Sequence, residues 1–141
     1  MKGNDFSVEE MLPLMLEVLE SGGEFRFYPK GTSMLPLLRQ GVDSVVLRTC
    51  VSVKKNDICL YIRNSGEYVL HRVVKVNKNG TFCFCGDNQL EAECGVHREQ
   101  VIAKVVAVIK GEKRTGTGSF WYRLSRLSRP ARSFRFRNRK N

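Results

Sequence analysis

The chain has 141 residues, of which 42% are hydrophobic, and it carries a net charge of +10. A chain of this length is expected to form one domain with a single hydrophobic core. Its apolar runs are all shorter than the ~20 residues that a helix needs to cross a bilayer, so the sequence argues against a helical membrane protein.

The positive charge is concentrated at the end of the chain. Residues 121–141 contain eight Arg or Lys and no acidic residue, whereas residues 1–120 are close to neutral. The nearly neutral body argues against a protein that coats nucleic acid. Arginines interleaved with aromatic residues suit peripheral contact with an anionic membrane, and a solvated terminus explains the charge equally well. Nucleic acid is the least favoured partner of this tail.

Five cysteines are distributed over the body, at positions 50, 59, 83, 85 and 94. Their odd number and the lack of a secretory leader predict reduced thiols and a cytoplasmic location, with the inner face of the membrane as an alternative. The sequence has no Cys-x-x-Cys pair, and its Cys and His residues are poorly spaced for metal binding. We therefore expect neither a metal nor another cofactor.

An amphipathic helix is predicted over residues 8–20. Ser7 and Glu10 form a capping-box pattern, and apolar residues then recur at helical spacing until a Ser-Gly-Gly stop signal at 21–23. Pro13 lies inside this segment, where its missing N–H predicts either a kink or a later helix start.

From residue 25 onward, short β-rich runs alternate with turn signals, which predicts a mainly β body. The predicted strands are Phe25–Tyr28, Ser44–Arg48, Ile58–Ile62, Tyr68–Val76, Thr81–Cys85 and Val101–Ile109. The chain is thereby divided into an N-terminal helical segment (1–24), a β domain (25–110), and a linker with the basic tail (111–141).

A short helical turn is predicted from Ser33 to Gln40, because Met34, Leu37 and Leu38 follow at helical spacing. The backbone N–H groups at the start of such a turn have no partner within it and can face an anion. Ser33 is therefore a candidate nucleophile, and it needs a base within hydrogen-bond reach.

The chain offers only two histidines as that base, and His71 is the better candidate. On the predicted strand it shares a face with Val69 and Val73, so burial favours the neutral imidazole that a general base requires.

The remaining role is that of an acid that orients the imidazole ring or braces the site, and two residues after His71 are candidates for it. Asp87, within Gly86-Asp87-Asn88, is the first candidate, and Glu93 is the second. Each motif also fits a purely structural role when taken alone, because a tight turn and a half-buried strand histidine are common.

Taken in order, six segments resemble those of the signal peptidase I and SOS-repressor-type serine peptidase superfamily. They are Gly31-Thr32-Ser33-Met34-Leu35-Pro36, Gly41-Val42-Asp43-Ser44-Val45, Lys55-Asn56-Asp57-Ile58, His71-Arg72-Val73-Val74, Gly86-Asp87-Asn88 and Ile102-Ala103-Lys104-Val105. The resemblance covers residues 25–109. The segment at His71 is similar to the Ser-His branch found in the endoplasmic reticulum, archaea and spore formers, not to the Ser-Lys branch.

This resemblance implies a coiled, SH3-like β-barrel in which Ser33 is the nucleophile, His71 the general base and Asp87 the supporting acid. It also implies an oxyanion hole or substrate groove formed by Gly31, Thr32, Met34 and Pro36. Many signal peptidases have a Ser at the place of Gly31, so Thr32 or a backbone N–H is expected to replace that hydroxyl here.

The leading hypothesis is a serine endopeptidase without a transmembrane anchor, which cleaves a leader or signal-like peptide from a peptide or protein substrate. A self-cleaving regulator and a non-catalytic peptide-binding module are the alternatives. The regulator is disfavoured because residues 1–24 hold one helix, too few for a helix-turn-helix, and because no Ala-Gly site precedes Ser33.

Overall fold

The structure is a computed structural model that describes residues 7–117 and 135–138, and it begins with a single helix, α1 (Val8–Glu20). As the capping pattern predicts, the Ser7 hydroxyl accepts a hydrogen bond from the Glu10 amide at 3.2 Å. Pro13 lies inside the helix without ending it. The predicted helix is therefore confirmed, and its buried stripe consists of Met11, Met15 and Leu19.

The described chain also contains nine strands and a 3-10 helical turn, Arg98–Gln100, between the sixth and seventh of them. The strands are β1 (Phe25–Phe27), β2 (Ser44–Thr49), β3 (Ile58–Ile62), β4 (Tyr68–Val76), β5 (Phe82–Cys85), β6 (Glu91–Val96), β7 (Val101–Lys110), β8 (Lys113–Gly116) and β9 (Arg135–Asn138). The six predicted strands are all present with small changes at their ends, which confirms the mainly β body.

Three strands were not predicted. β6 has Glu at its first and third positions, and β8 lies in a Gly- and Thr-rich stretch that reads as a linker. β8 pairs with β7 over residues 107–110, so residues 113–116 belong to the sheet. β9 pairs with β6 in parallel, within the predicted basic tail. The rest of residues 121–141 lies outside the described residues, and so does the membrane contact predicted for this tail.

The strands form one sheet in the order β1-β2-β7-β3-β4-β5-β6-β9, with β8 added to β7. All described pairs are antiparallel except β6 with β9. Register shifts in β2, β3 and β4 are of the kind that bends strands. The predicted closure into a barrel is wrong for the described residues: β1 is three residues long, β9 covers the outer edge of β6, and no pairing joins these end strands.

Two apolar clusters lie on opposite faces of the β3–β4 pair. On one face Leu60 and Leu70 pack with α1 and with the loop that follows β1. On the other face Tyr61 and Val73 pack with Phe84 and with residues of β6 and β7. Because side chains alternate along a strand, consecutive residues of β4 face different surroundings.

The structure joins Cys83 of β5 to Cys94 of β6 by a disulfide. The prediction that all five cysteines are reduced thiols is therefore wrong for this pair. The two residues belong to adjacent strands whose pairing is interrupted by a register shift, and this neighbourhood is not visible in the sequence because β6 was not predicted. The other three cysteines, Cys50, Cys59 and Cys85, lie outside this disulfide.

The sequence argues against a membrane-spanning helix, and α1 is the α-helix of the described segments against which this expectation can be checked. Within these segments no helix combines the length and the apolar character required to span a bilayer.

Candidate active site

Ser33 lies on the irregular connection between β1 and β2. Residues 33–37 form consecutive turns with one helical hydrogen bond, from the Leu38 amide to the Met34 carbonyl at 2.9 Å. The predicted helical turn does not extend to Gln40, because Pro36 lacks an N–H and disfavours helical geometry at the residue before it. Met34, Leu37 and Leu38 are buried against α1 and the sheet, and they hold this connection in place.

The far end of the same connection is fixed by a buried carboxylate. Asp43 has no exposed surface, and it accepts hydrogen bonds from the side chains of Arg39 and Lys110 at 2.9 and 3.0 Å. Burial alone raises the pKa of the Asp43 carboxyl, but these hydrogen bonds outweigh it and hold the pKa well below its usual range. Lys110 also donates to the Leu37 carbonyl, which ties the connection to β7.

His71 lies on β4, in register opposite Cys59 of β3, and its side chain is 6% exposed. Its Nε2 atom is 3.1 Å from the Ser33 Oγ atom, although the residues are 38 positions apart. The predicted proximity of the hydroxyl and the imidazole is therefore confirmed. With the ring proton on Nδ1, the Ser33 hydroxyl donates to Nε2, the arrangement required for removal of the serine proton.

The surroundings of His71 favour its neutral form. Burial lowers the pKa of the imidazole to about 4, and the nearby Arg63 guanidinium contributes in the same direction. Glu93 and Asp87 oppose this shift from a distance. His71 is therefore unprotonated at neutral pH and able to accept a proton.

The Gly86–Asn88 turn packs directly against the backbone of Ser33. The Asn88 amide donates to the Ser33 carbonyl at 2.8 Å, and the Asn88 side chain donates to the Thr32 carbonyl at 3.2 Å. A Cβ atom at Gly86 would lie 2.5 Å from the Ser33 carbonyl oxygen, closer than real Cβ contacts. Only glycine fits here, so this turn sets the position of the serine backbone.

Asp87 pairs with Arg72, the residue that follows His71 on β4. Its two carboxylate oxygens accept hydrogen bonds from the Nε and Nη2 atoms of Arg72, both at 2.8 Å, and both side chains are buried. Of the two roles predicted for Asp87, orienting the ring or bracing the site, the hydrogen bonds with Arg72 fit the second. Asp87 braces the site through Arg72, because the pair fixes the turn that holds Ser33.

Glu93 is also buried, and it faces Tyr61 and Arg63. The Tyr61 hydroxyl donates to Glu93 at 2.7 Å, and Arg63 Nε lies 3.0 Å from both carboxylate oxygens. The Tyr61 ring in turn packs edge-on against His71, with 6.4 Å between ring centroids. Glu93 is therefore linked to the imidazole through the Tyr61 ring, and among the described residues the one hydrogen bond of the His71 side chain is with Ser33.

A cleft of about 260 Å³ opens beside the Ser33–His71 pair. One wall is β4, whose residues 68–71 pair with β3 on one side and have no β5 partner in the described register. An antiparallel strand directs alternate N–H and C=O groups to each side, so this stretch offers backbone hydrogen bonds to an extended chain in the cleft. Arg63, Glu67 and Gln89 line the same space.

A second cleft of about 220 Å³ continues from the first and shares Pro29, Lys30, Tyr68 and Leu70 with it. Its further walls are mostly apolar, and they come from the start of α1, from β1 and from β3. The two clefts together border residues 68–71 of β4.

Of the four residues predicted to form an oxyanion hole or substrate groove, two line the cleft and two do not. Gly31, with a φ of +87°, and Met34 line the cleft, and the Met34 side chain is buried. Thr32 and Pro36 are exposed and outside the cleft lining. No cluster of three or more metal-ligating side chains occurs among residues 7–117 and 135–138.

Arg72, Tyr61 and Arg63 were not predicted as part of the site. Arg72 stands beside His71 in the sequence, but its importance follows from its facing Asp87 across the fold. Tyr61 and Arg63 become visible only with the strand register, which places Tyr61 diagonally across from His71. Comparisons with protein-family models, with curated proteins and with solved structures find no match.

Proposed function

We propose that the protein is a serine endopeptidase in which Ser33 is the nucleophile and His71 the general base. The observation that carries the proposal is the 3.1 Å distance between Ser33 Oγ and a buried, neutral His71 at the wall of a cleft. A serine hydroxyl is a weak nucleophile at its ordinary pKa, and a positioned imidazole is the usual means of activating it.

In the proposed reaction the Ser33 hydroxyl attacks the carbonyl carbon of a peptide bond while its proton passes to His71 Nε2. The protonated imidazole then gives that proton to the leaving amine, and water releases the acyl group by the same steps in reverse. Since His71 has no carboxylate partner of its own in the described chain, the site is a dyad. The Asp87–Arg72 pair and the Gly86 turn supply position instead of charge.

The substrate is an extended segment of a peptide or protein that lies along residues 68–71 of β4. The N–H and C=O groups on the side of this stretch that has no strand partner among the described residues give the backbone contacts, as in other cases of strand addition. The second cleft, bordered by Phe27, Leu60 and Leu70, accepts an apolar side chain of the bound segment. This geometry supports recognition of a leader or signal-like peptide.

The family assignment is a further proposal: a member of the signal peptidase I and SOS-repressor-type superfamily, of the Ser-His branch. It is supported by the way in which the segments at Ser33, His71 and Gly86 come together at one site. The open, bent sheet with bulged strands supports a signal-peptidase-like architecture.

The test uses a fluorophosphonate, which reacts with activated serines and does not require knowledge of the substrate. We expect adduct formation on Ser33 in the wild-type chain and none in S33A, with mass mapping to locate the adduct. Ser52 is exposed and serves as the matched control, so S52A is expected to react like wild type. An unmodified Ser33 in a folded wild-type protein contradicts the proposal.

The second candidate function is a peptide-binding module without turnover, which is favoured by the same stretch of β4, residues 68–71, since it has no β5 partner in the described register. A library of peptides separates the two functions. The peptidase produces cleaved peptides that disappear with S33A, whereas the binding module retains intact peptides in both proteins.

A further inference from the structure

Gln89 closes the turn that holds Ser33. Its backbone amide donates to the Gly86 carbonyl at 2.9 Å, and its side-chain Oε1 atom accepts from the Gly86 amide at 3.1 Å. Because a backbone N–H pairs with the oxygen of a carboxamide and not with its nitrogen, this second bond fixes which way the side-chain amide of Gln89 points. The oxygen faces the Gly86 amide, and the Nε2 group is turned away from it.

The Gln89 side chain lies close to the backbone of Ser33. The Cβ position at Gly86 is 2.5 Å from the Ser33 carbonyl oxygen and 3.1 Å from the Gln89 Cδ atom, so Gly86 is enclosed between the two residues. Gln89 also lines the cleft beside the Ser33–His71 pair, and among the described residues it is not part of the second cleft. The side chain is therefore placed at the end of the cleft where Ser33 lies.

The Nε2 group of Gln89 is an available donor at this place. Within the described part of the chain no atom accepts a hydrogen bond from it, whereas the Arg63 guanidinium of the same cleft is held by Glu67 and Glu93. The backbone amide of Ser33 likewise donates to no described residue. Two neutral N–H donors therefore remain for a ligand beside the Ser33 hydroxyl, one from the backbone and one from the Gln89 side chain.

The reaction proposed for Ser33 needs donors of this kind. Attack on a peptide carbonyl places negative charge on the carbonyl oxygen, and N–H groups aimed at that oxygen stabilise the charge. Gly31 has no side chain to offer, and Thr32 is exposed outside the cleft lining. Tyr68 lies on the wall that the two clefts share. Gln89 is therefore the neutral side-chain donor at the Ser33 end of the described lining.

We propose that Gln89 is a further catalytic residue, whose Nε2 group donates a hydrogen bond to the oxygen of the scissile carbonyl as negative charge forms on it. This inference rests on the proposed function of Ser33 and His71. No covalent bond of Gln89 forms or breaks, and its Oε1 atom stays with the Gly86 amide. Because the side chain is already oriented, the donor needs no rearrangement when the charge develops.

The substitution Q89E separates this role from a structural one. A glutamate keeps an oxygen for the Gly86 amide, and it replaces the Nε2 donor by a second acceptor. We expect the rate of fluorophosphonate labelling of Ser33 to fall by about 10²–10³-fold, the loss associated with removal of one oxyanion donor. If Gln89 only closes the turn, Q89E labels at the wild-type rate, and that result overturns the proposal.

Two further variants control for charge and for the substitution itself. Q89M removes the donor without adding a charge, and it is also expected to slow labelling by at least about 10²-fold. A slow Q89E beside a Q89M of wild-type rate assigns the effect to the added charge and overturns the proposal. Gln100 also accepts a backbone N–H three residues earlier, from His97 at 2.8 Å, and it lies outside the cleft lining. Q100E is therefore expected to label like wild type.

A measurement on the wild-type chain does not depend on the folding of any variant. In proton–nitrogen correlation spectra, the side-chain amide signals of Gln89 are expected to shift when Ser33 is phosphonylated, because the phosphonyl oxygen then accepts from Nε2. The corresponding signals of Gln100 are expected to stay in place. Unchanged Gln89 signals after complete reaction of Ser33 overturn the role of Gln89 and leave the peptidase function standing. A wild-type Ser33 that never reacts contradicts both.

Discussion

His71 and Arg72 are consecutive residues of β4, both are basic, and both are buried, yet the fold treats them in opposite ways. Arg72 faces a carboxylate, Asp87, with two hydrogen bonds of 2.8 Å, and it keeps its charge. His71 faces a serine hydroxyl and an aromatic ring, and burial holds its pKa at about 4. One residue of the pair is stabilised as an ion and the other is kept neutral.

The difference gives Arg72 a structural role and leaves His71 for the proposed chemical role. A buried arginine must be paired because its guanidinium stays protonated, so Arg72 and Asp87 can serve as a fixed brace. A buried histidine avoids that cost by losing its proton, and the lone pair on Nε2 is then free to accept another. The alternation of a β-strand puts these two functions on adjacent residues without mixing them.

The largest expected effect on stability comes from breaking the brace. D87A leaves the buried Arg72 without its carboxylate, which is expected to lower the free energy of unfolding by about 3–5 kcal/mol in urea denaturation. E24A removes the exposed partner of Arg114 and is the matched control, with an expected change below about 1 kcal/mol. Equal losses in the two variants contradict the account of Arg72.

The neutral state of His71 predicts a specific dependence of stability on pH. The pKa of about 4 in the folded chain lies below the value of about 6.5 in the unfolded chain, so the unfolded chain binds the proton first as the pH falls. His71 therefore costs no stability above pH ~6.5, and about 3 kcal/mol is lost progressively between ~6.5 and ~4. Unfolding of wild type and H71L at several pH values isolates this contribution, and parallel curves contradict it.

The position of Ser33 depends on the absence of a side chain at residue 86. In G86A the new Cβ meets the Ser33 carbonyl and displaces the serine backbone, so labelling of Ser33 is expected to slow by about 10²-fold. At Gly116 the nearest described atom to a Cβ would be 4.0 Å away, so G116A is expected to label at the wild-type rate. A G86A protein that reacts normally shows that the turn does not set the serine position.

The smallest effect on stability and on labelling is expected at Tyr61, which packs against the His71 ring and donates to Glu93. Y61F removes the hydrogen bond from Tyr61 to Glu93 and is expected to cost about 1 kcal/mol of stability. Labelling of Ser33 should change less than about three-fold, because Glu93 has no hydrogen bond with His71 in the described chain and because a positioned base is worth ~10²–10⁴-fold. If labelling in Y61F falls as far as is expected on removing His71, Glu93 acts as the supporting acid of His71. Y28F, at an exposed hydroxyl that Arg26 contacts, is the control.

The regular elements follow from local patterns in the sequence. The capping residues of α1 and the β-rich runs of β2, β3, β4 and β7 specify these elements through contacts within a few residues. β6 and β8 escape prediction because their alternation includes charged residues and glycine, and their pairing with β5 and β7 provides the missing stability.

The proximity of Ser33 and His71 was predictable from the sequence, whereas the partner of Asp87 was not. Ser33 and His71 are identified by the order of the segments that resemble a peptidase family, and the 3.1 Å distance agrees with this. The partner of Asp87 depends on which face of β4 the Gly86 turn approaches. A register shift between Val73 and Lys75 contributes to that geometry, and such a shift leaves no mark in the sequence.

The most direct test of the central claim compares the two histidines of the chain. H71A and H97A remove one imidazole each, and only His71 lies beside Ser33. The rate of Ser33 labelling by the fluorophosphonate at pH 7 is expected to fall by about 10²–10⁴-fold in H71A and to stay at the wild-type value in H97A. Equal labelling rates in the folded wild-type and H71A proteins contradict activation of Ser33 by His71.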